Sequence, residues 1–416
     1  MREFVPNKTI AYTEDMKKTL KKVYKLKEAV KKFVFGQDEM IDKILVALLC
    51  NEHVLIEGLP GTAKTTTVKL ISAGFEDLDC KRIQFTPDLQ PTDLIGGKTI
   101  DTSDPERYKF ILQKGKIYCN VLIADEINRA PSKVQSALLE VMQERRITRI
   151  EPEIADERKF WTIINDEGIP EEIITEDRLD ALSKNELNQL IQSLNIDEDK
   201  STTKIIEILK KRIKERFTIP NADGVFCVFA TQNPIEQEGV FPLAEAALDR
   251  FLFKILVDYP KEEDTLKIIR KKYVNEEYEI KKILVKDGDL LSIKELIKMQ
   301  KAVENIELTE ELGIYINKII RATYKPRNEN ELMKELKTSS IYRFIKTGAS
   351  PRAFIHVAKA AKAHAFLNSK ESVDIDDINA VIKNVLRHRI KLTFEAVNKG
   401  ITTDHIIEEI MDKIKY

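Results

Sequence analysis

Val54-Leu55-Ile56-Glu57-Gly58-Leu59-Pro60-Gly61-Thr62-Ala63-Lys64-Thr65 decides the fold class of this chain. The apolar run has strand character and enters a loop at Gly58. That loop delivers Lys64 and Thr65 to a segment, Thr66 to Ala73, that can continue as a helix. This is the layout of a phosphate-binding loop. Small residues let successive backbone N–H groups curl around a polyphosphate, and the helix N-terminus adds a favourable dipole. Gly58, Pro60, Gly61, Thr62, Ala63, Lys64, Thr65 and Thr66 are therefore the candidate nucleotide-binding residues. Lys64 is placed to reach the β- and γ-phosphates, and the Thr65 hydroxyl to ligate Mg²⁺. The strict pattern has glycine where this chain has Ala63, so on this stretch alone plain turn punctuation stays open.

Two further apolar strands narrow the reading. Val121-Leu122-Ile123-Ala124 ends in Asp125 and Glu126. A buried parallel strand is near-continuously hydrophobic, so acids at its C-terminal end lie at the sheet edge where ligands bind. Asp125 is the candidate for the Mg²⁺ shell with Thr65, and Glu126 for polarising the attacking water. Val225-Phe226-Cys227-Val228-Phe229-Ala230 ends in Thr231-Gln232-Asn233, with Asn233 able to sense a γ-phosphate and orient that water. Each strand alone reads as ordinary core with polar ends. Three strands supplying phosphate, metal and water ligands in this order point to an ATP site.

Composition sets outer bounds. The 416 residues suggest two or three domains. Sixty-eight Lys and Arg against 69 Asp and Glu leave no global basic field for nucleic acid. Cys50, Cys80, Cys119 and Cys227 lack metal-ligand spacing, so buried thiols in a reduced compartment are expected. No signal peptide is evident and no apolar run is long enough to span a bilayer, so the expectation is a cytoplasmic protein without membrane insertion.

Thr13 to Phe33 reads as a basic amphipathic helix whose lysines form a solvated face. Strand-helix alternation then runs from Phe35 to about Tyr259. From Lys261 onward the pattern is almost wholly helical, with a turn at Thr347-Gly348-Ala349-Ser350-Pro351. Pro351 suits a first helical position, because its missing N–H costs nothing there. Arg352 is then expected to point into a cleft. An Ala-rich helix follows over Arg352 to Leu367, and another starts near Asp374. Arg387 and Arg389 flank His388 near its end, where cations suit the helix dipole.

Nine stretches together resemble the MoxR family of AAA+ ATPases. They are Phe35-Gly36-Gln37, Gly58 to Thr65, Gln84-Phe85-Thr86-Pro87-Asp88-Leu89, Ala124-Asp125-Glu126-Ile127-Asn128-Arg129-Ala130 and Gln135-Ser136-Ala137-Leu138-Leu139-Glu140. To these add Ala230 to Gly239, Leu248-Asp249-Arg250-Phe251, Gly348 to Ala353 and Leu386-Arg387-His388-Arg389-Ile390. In that family the position of Ala63 is commonly alanine, which accounts for the departure in the loop. The resemblance implies a P-loop α/β core with a parallel sheet over 31–151 and 221–260, followed by an all-helical lid over 261–416. It implies a homo-hexamer with sites between subunits, and a von Willebrand factor A domain protein as partner in maturing protein clients. Arg250 then resembles the arginine finger and Arg352 the second sensor, on its own site or the next. Arg129 resembles an interface arginine or forms a structural salt bridge. Phe85 to Lys116 resembles an insert projected into the ring pore, where Tyr108 and Phe110 touch a client or pack within the loop.

Residues 152–220 depart from the family, where a short hairpin is expected after Arg149-Ile150-Glu151. The first part is acidic and carries the only tryptophan, Trp161. Later, Ser183 and Glu186 have capping-box spacing for a helix through Leu194, and Ser201 to Lys214 makes a second, basic helix. This pair is similar to SAP-type domains, so residues 182–216 read as a protein-contact module with DNA binding as the rival.

Overall fold

The computed structural model describes residues 13–101, 109–145, 161–164, 170–173, 224–234, 240–270, 275–324 and 343–414. Helix α1 (Glu14–Lys31) starts where the Thr13 hydroxyl accepts from the Met16 N–H. Helix α2 (Asp38–Cys50) is apolar nearly all round and correspondingly buried. Strand β1 (Val54–Gly58) then leads through the loop into α3 (Lys64–Ala73) and β2 (Cys80–Gln84). After α4 (Pro91–Ile95) come β3 (Gly96–Asp101), β4 (Lys109–Lys114), β5 (Val121–Asp125) and α5 (Ser132–Glu144). The acidic stretch carries β6 (Trp161–Ile164) and β7 (Pro170–Ile173), and the sheet resumes at β8 (Cys227–Gln232). Then follow α6 (Glu245–Leu248), β9 (Phe253–Val257), α7 (Glu262–Arg270), α8 (Glu276–Asp287), α9 (Ile293–Glu304) and α10 (Glu310–Ala322). The chain ends with β10 (Ile345–Thr347), α11 (Arg352–Leu367), α12 (Ile375–Leu386), β11 (Lys391–Leu392), α13 (Phe394–Asn398) and α14 (Thr403–Lys413).

The chain divides into two compact units. The first comprises Met1–Pro87, Val121–Ala130 and Gly224–Tyr416, and the second Asp88–Asn120 and Pro131–Asp223. The first unit holds one five-stranded sheet, order β2-β5-β8-β1-β9, with every pairing parallel. Its inner strands are buried except at Glu57 and Gln232, as a parallel sheet covered on both faces requires. Thus the α/β core is as expected. One ordering is new: β8, although it follows β5 in the sequence, inserts between β5 and β1.

The region from Lys261 onward is mainly helical, as expected, but not all-helical, since β10 and β11 lie within it. α11 packs against α12, α2, α9 and α10. Its alanines at 353, 360, 361, 363 and 365 are buried, and small side chains let helix axes approach closely. Helix α11 spans the anticipated residues, with Pro351 one place earlier, at the cap. Asp374 caps α12 in a reciprocal pair with Asp377. A two-stranded β10–β11 pair interrupts the helices. The lysines of α1 are more engaged than a solvated face implies: Lys22 pairs with Glu295 at 2.8 Å and Lys25 with Asp289 at 2.5 Å.

Gly348 in the turn before α11 has no room for a side chain. A Cβ there would press on the Thr323 carbonyl, and the Thr323 hydroxyl already accepts from the Ala349 N–H at 3.0 Å. Gly348→Ala is expected to cost about 1–3 kcal/mol through forced backbone displacement. Thermal unfolding checks it: an unchanged midpoint would show that the turn yields freely.

In the second unit β3 pairs antiparallel with β4, and α4 packs on α5. Antiparallel β6–β7 lies in the stretch expected to be a helical insertion. Trp161-Thr162-Ile163-Ile164 is a β-prone run that the surrounding acids obscure. The two helices anticipated over 182–216, the hairpin near Glu151 and Tyr108 lie outside the described residues. Among the described residues no helix is long and apolar enough to cross a membrane. Cys50, Cys119 and Cys227 are buried and Cys80 is half-buried, and none of the four forms a disulfide.

Candidate functional site

The strand order brings three strand ends side by side. β1 ends in the loop, β5 in the paired acids, and β8, between them, in Asn233. Their C-terminal edge carries a cavity of about 250 Å³. Pro60, Gly61, Thr62, Ala63, Lys64, Thr65 and Thr66 line one side of it. Asp125, Glu126 and Asn233 line the other, so these predicted residues are brought together. Gly58 precedes the loop and contributes its carbonyl to Lys64.

Loop conformation explains the usual glycine at the Ala63 position. Ala63 adopts φ 58°, ψ 19°, a left-handed geometry that glycine reaches without cost and alanine at roughly 1 kcal/mol. α3 begins at the next residue, so its N-terminal N–H groups open toward the cavity. The Lys64 ammonium donates to the carbonyls of Gly58 at 2.6 Å and Leu59 at 2.7 Å. Burial lowers its pKa from the ordinary lysine value, with Asp125 and Glu126 opposing.

Asp125 is buried at the floor of the site. Its Oδ1 accepts from the Thr65 hydroxyl at 2.7 Å and from the Thr231 hydroxyl at 3.0 Å. Oδ2 faces Arg82 Nε at 2.5 Å. Thr65 and Asp125 thus present adjacent hard oxygens, the donor type Mg²⁺ takes together with phosphate oxygens. Glu126 sits at φ 55°, a strained conformation for a non-glycine residue. Its N–H donates to the Thr231 hydroxyl at 3.0 Å, which fixes the turn. Gln84 at 2.6 Å and Arg129 at 3.0 Å both donate to Oε2. Arg129 therefore makes the salt bridge that the sequence left as one alternative.

Arg82, Gln84 and Thr231 carry no assigned role in the sequence reading. The first two stand two apart on β2, so they share a face and each reaches one acid of the neighbouring strand. For Thr231, a polar residue at the end of an otherwise apolar strand was the available signal; β2 is itself largely polar and offered none.

Arg250 and Arg352 are not among the residues lining this cavity. Arg250 Nη1 donates to the Ala246 carbonyl at 2.9 Å. Arg352 meets Asp249 Oδ2 at 3.3 Å. Arg387 pairs with Asp404 at 2.6 Å and donates to the Lys254 carbonyl at 3.0 Å, beyond any dipole role. Burial and the adjacent Arg389 push the His388 pKa well below its ordinary value, and its ring meets the Phe251 carbonyl at 3.0 Å.

Known proteins place this architecture. The model of the "ATPase family associated with various cellular activities (AAA)" matches residues 53–175 and 189–253, and that of the AAA lid domain matches 341–410. Chaperone MoxR1 of Mycobacterium tuberculosis is 33% identical over 390 residues, 92% of this chain and 80% of that protein. An uncharacterized Bacillus subtilis protein, YeaC, is 30% identical over 98% of this chain and 97% of its own length. A solved structure of a candidate ATPase from Cytophaga hutchinsonii superposes with a TM-score of 0.69 at 32% identity, covering 97% of each chain. With loop, paired acids, sheet order and helical lid all accounted for, this chain belongs to the MoxR-type AAA ATPases.

Proposed function

We propose that this protein hydrolyses ATP with Mg²⁺ between the subunits of a homo-hexamer and uses the cycle to remodel protein clients. The observation that carries the reading is the convergence of Lys64, Thr65, Asp125, Glu126 and Asn233 on one cavity beside a helix N-terminus. Lys64 leaves the loop carbonyls for the β- and γ-phosphates, exchanging neutral acceptors for charged ones. Thr65 and Asp125 hold Mg²⁺, whose charge offsets that of the phosphates. Glu126 keeps Oε2 on Gln84 and Arg129, and Oε1 is the oxygen that polarises the attacking water. Asn233 orients that water from the central strand. Arg250, outside the cavity, serves the neighbouring subunit's nucleotide, and Arg352, paired with Asp249, senses nucleotide on its own site or the next. A von Willebrand factor A domain protein is the partner this reading expects, with residues 152–220 as a contact module.

Lys64→Ala tests the reading. It is expected to raise the dissociation constant for a fluorescent ATP analogue at least 100-fold while leaving the unfolding midpoint in place, since the charge-assisted contacts to phosphate go. Retained affinity would remove this loop from nucleotide binding.

A further inference from the structure

Arg389 grips the residues on both sides of Arg250. Its Nε donates to Asp249 Oδ1 at 2.9 Å, and its Nη2 to the Asp249 carbonyl at 2.9 Å and the Phe251 carbonyl at 2.7 Å. Nη1 adds the Leu252 carbonyl at 3.4 Å. The Arg389 side chain is 1% exposed, so its planar fork of donors is spent inside the protein on the turn that carries Arg250. The other end of this clamp is fixed in the helical region. Nη1 also donates to the Val385 carbonyl in the last turn of α12, and Nη2 meets His356 Nδ1 on α11 at 2.6 Å. His356 is held neutral, its pKa lowered to about 2 by burial and then by Arg389, so that nitrogen can accept. Asp249 is further held by Ser350 Oγ at 2.6 Å and Arg352 Nη1 at 3.3 Å, both at the start of α11.

The turn bearing Arg250 therefore takes its position from α11 and α12 as much as from the sheet. We propose that Asp249 and Arg389 are positioning residues that aim Arg250 at the nucleotide of the neighbouring subunit. A shift of these helices then turns the arginine toward or away from that nucleotide. The inference rests on Arg250 acting across a subunit interface, as argued above. A merely structural clamp predicts damage wherever it is broken. An aiming device predicts damage only in the subunit that lends the arginine.

Mixed oligomers separate the two. Arg250→Ala subunits bind ATP but lack the arginine, and Lys64→Ala subunits lend the arginine but bind no ATP, so mixing them restores turnover. Adding Asp249→Asn to the Lys64→Ala lender is expected to cut the restored rate at least tenfold. Adding it to the Arg250→Ala recipient is expected to leave that rate within twofold. ATP affinity of the single Asp249→Asn protein reports folding, and Arg389→Lys, which keeps the charge but gives up the fork, is the second lender variant should Asp249→Asn misfold. Equal rescue by both lenders, or equal loss from either side, overturns the aiming role. No rescue by the parent pair overturns the cross-subunit reading itself, and the aiming role with it.

Discussion

Glu126→Gln is expected to bind ATP as the unaltered protein does and to hydrolyse it about 10²- to 10⁴-fold more slowly, the range that a positioned general base contributes. The amide keeps the size of the carboxylate and an oxygen for Gln84 and Arg129, which hold it now at 2.6 Å and 3.0 Å. What it loses is the charge that draws a proton from water. Lys64→Ala should fail at the earlier step, because phosphate contacts go while the acids stay. The comparison is therefore a binding isotherm beside a turnover rate for each variant. Equal loss of ATP affinity in both would contradict the division of labour. The Glu126→Gln protein, held with Mg-ATP, is also suitable bait. Recovery of a nuclease-resistant partner with a von Willebrand domain supports the client reading, and recovery of DNA opposes it.

Arg250→Ala should lower turnover by about 10³-fold or more without weakening ATP binding, the scale at which an arginine at the transferring phosphoryl group contributes. Arg250 is absent from the cavity lining, so its removal leaves the nucleotide's own pocket whole. If Arg250 acts across the subunit interface as proposed, activity is a property of the assembly. Specific activity of the unaltered protein should fall on dilution, and that of Arg250→Ala should stay flat near its floor. An Arg250→Ala protein as active as the parent would move the charge-stabilising role elsewhere.

Most of this site was legible in the sequence because its parts sit at the ends of apolar runs. Lys64, Thr65, Asp125, Glu126 and Asn233 each follow a strand pattern, and a parallel sheet gathers such ends at one edge. Illegible was the spatial order. No periodicity states that Cys227–Gln232 enters between β1 and β5, yet that placement sets Asn233 between phosphate loop and acids. Arg82 and Gln84 escaped notice for a related reason: their role depends on the register Gln84↔Asp125, a long-range pairing. Ala63 was the opposite case. Its departure from the strict motif was plain in the sequence, and the backbone angle of 58° supplies the cause. Arg389 read as a helix-end cation, because nothing local tells that Asp249, 140 positions earlier, lies within reach.

The strand order also governs when the molecule becomes competent during synthesis. β5 leaves the ribosome about 100 residues before β8, an interval on the order of 5–20 s at ordinary elongation rates. Until β8 arrives, β1 and β5 cannot join, and each presents an unpaired edge of apolar strand. A nascent chain of that length holds the phosphate loop and both acids yet has no continuous floor between them. Nucleotide can therefore stabilise only a chain that already carries residues 227–232, and the interval before that is when this protein is most in need of protection from its own neighbours.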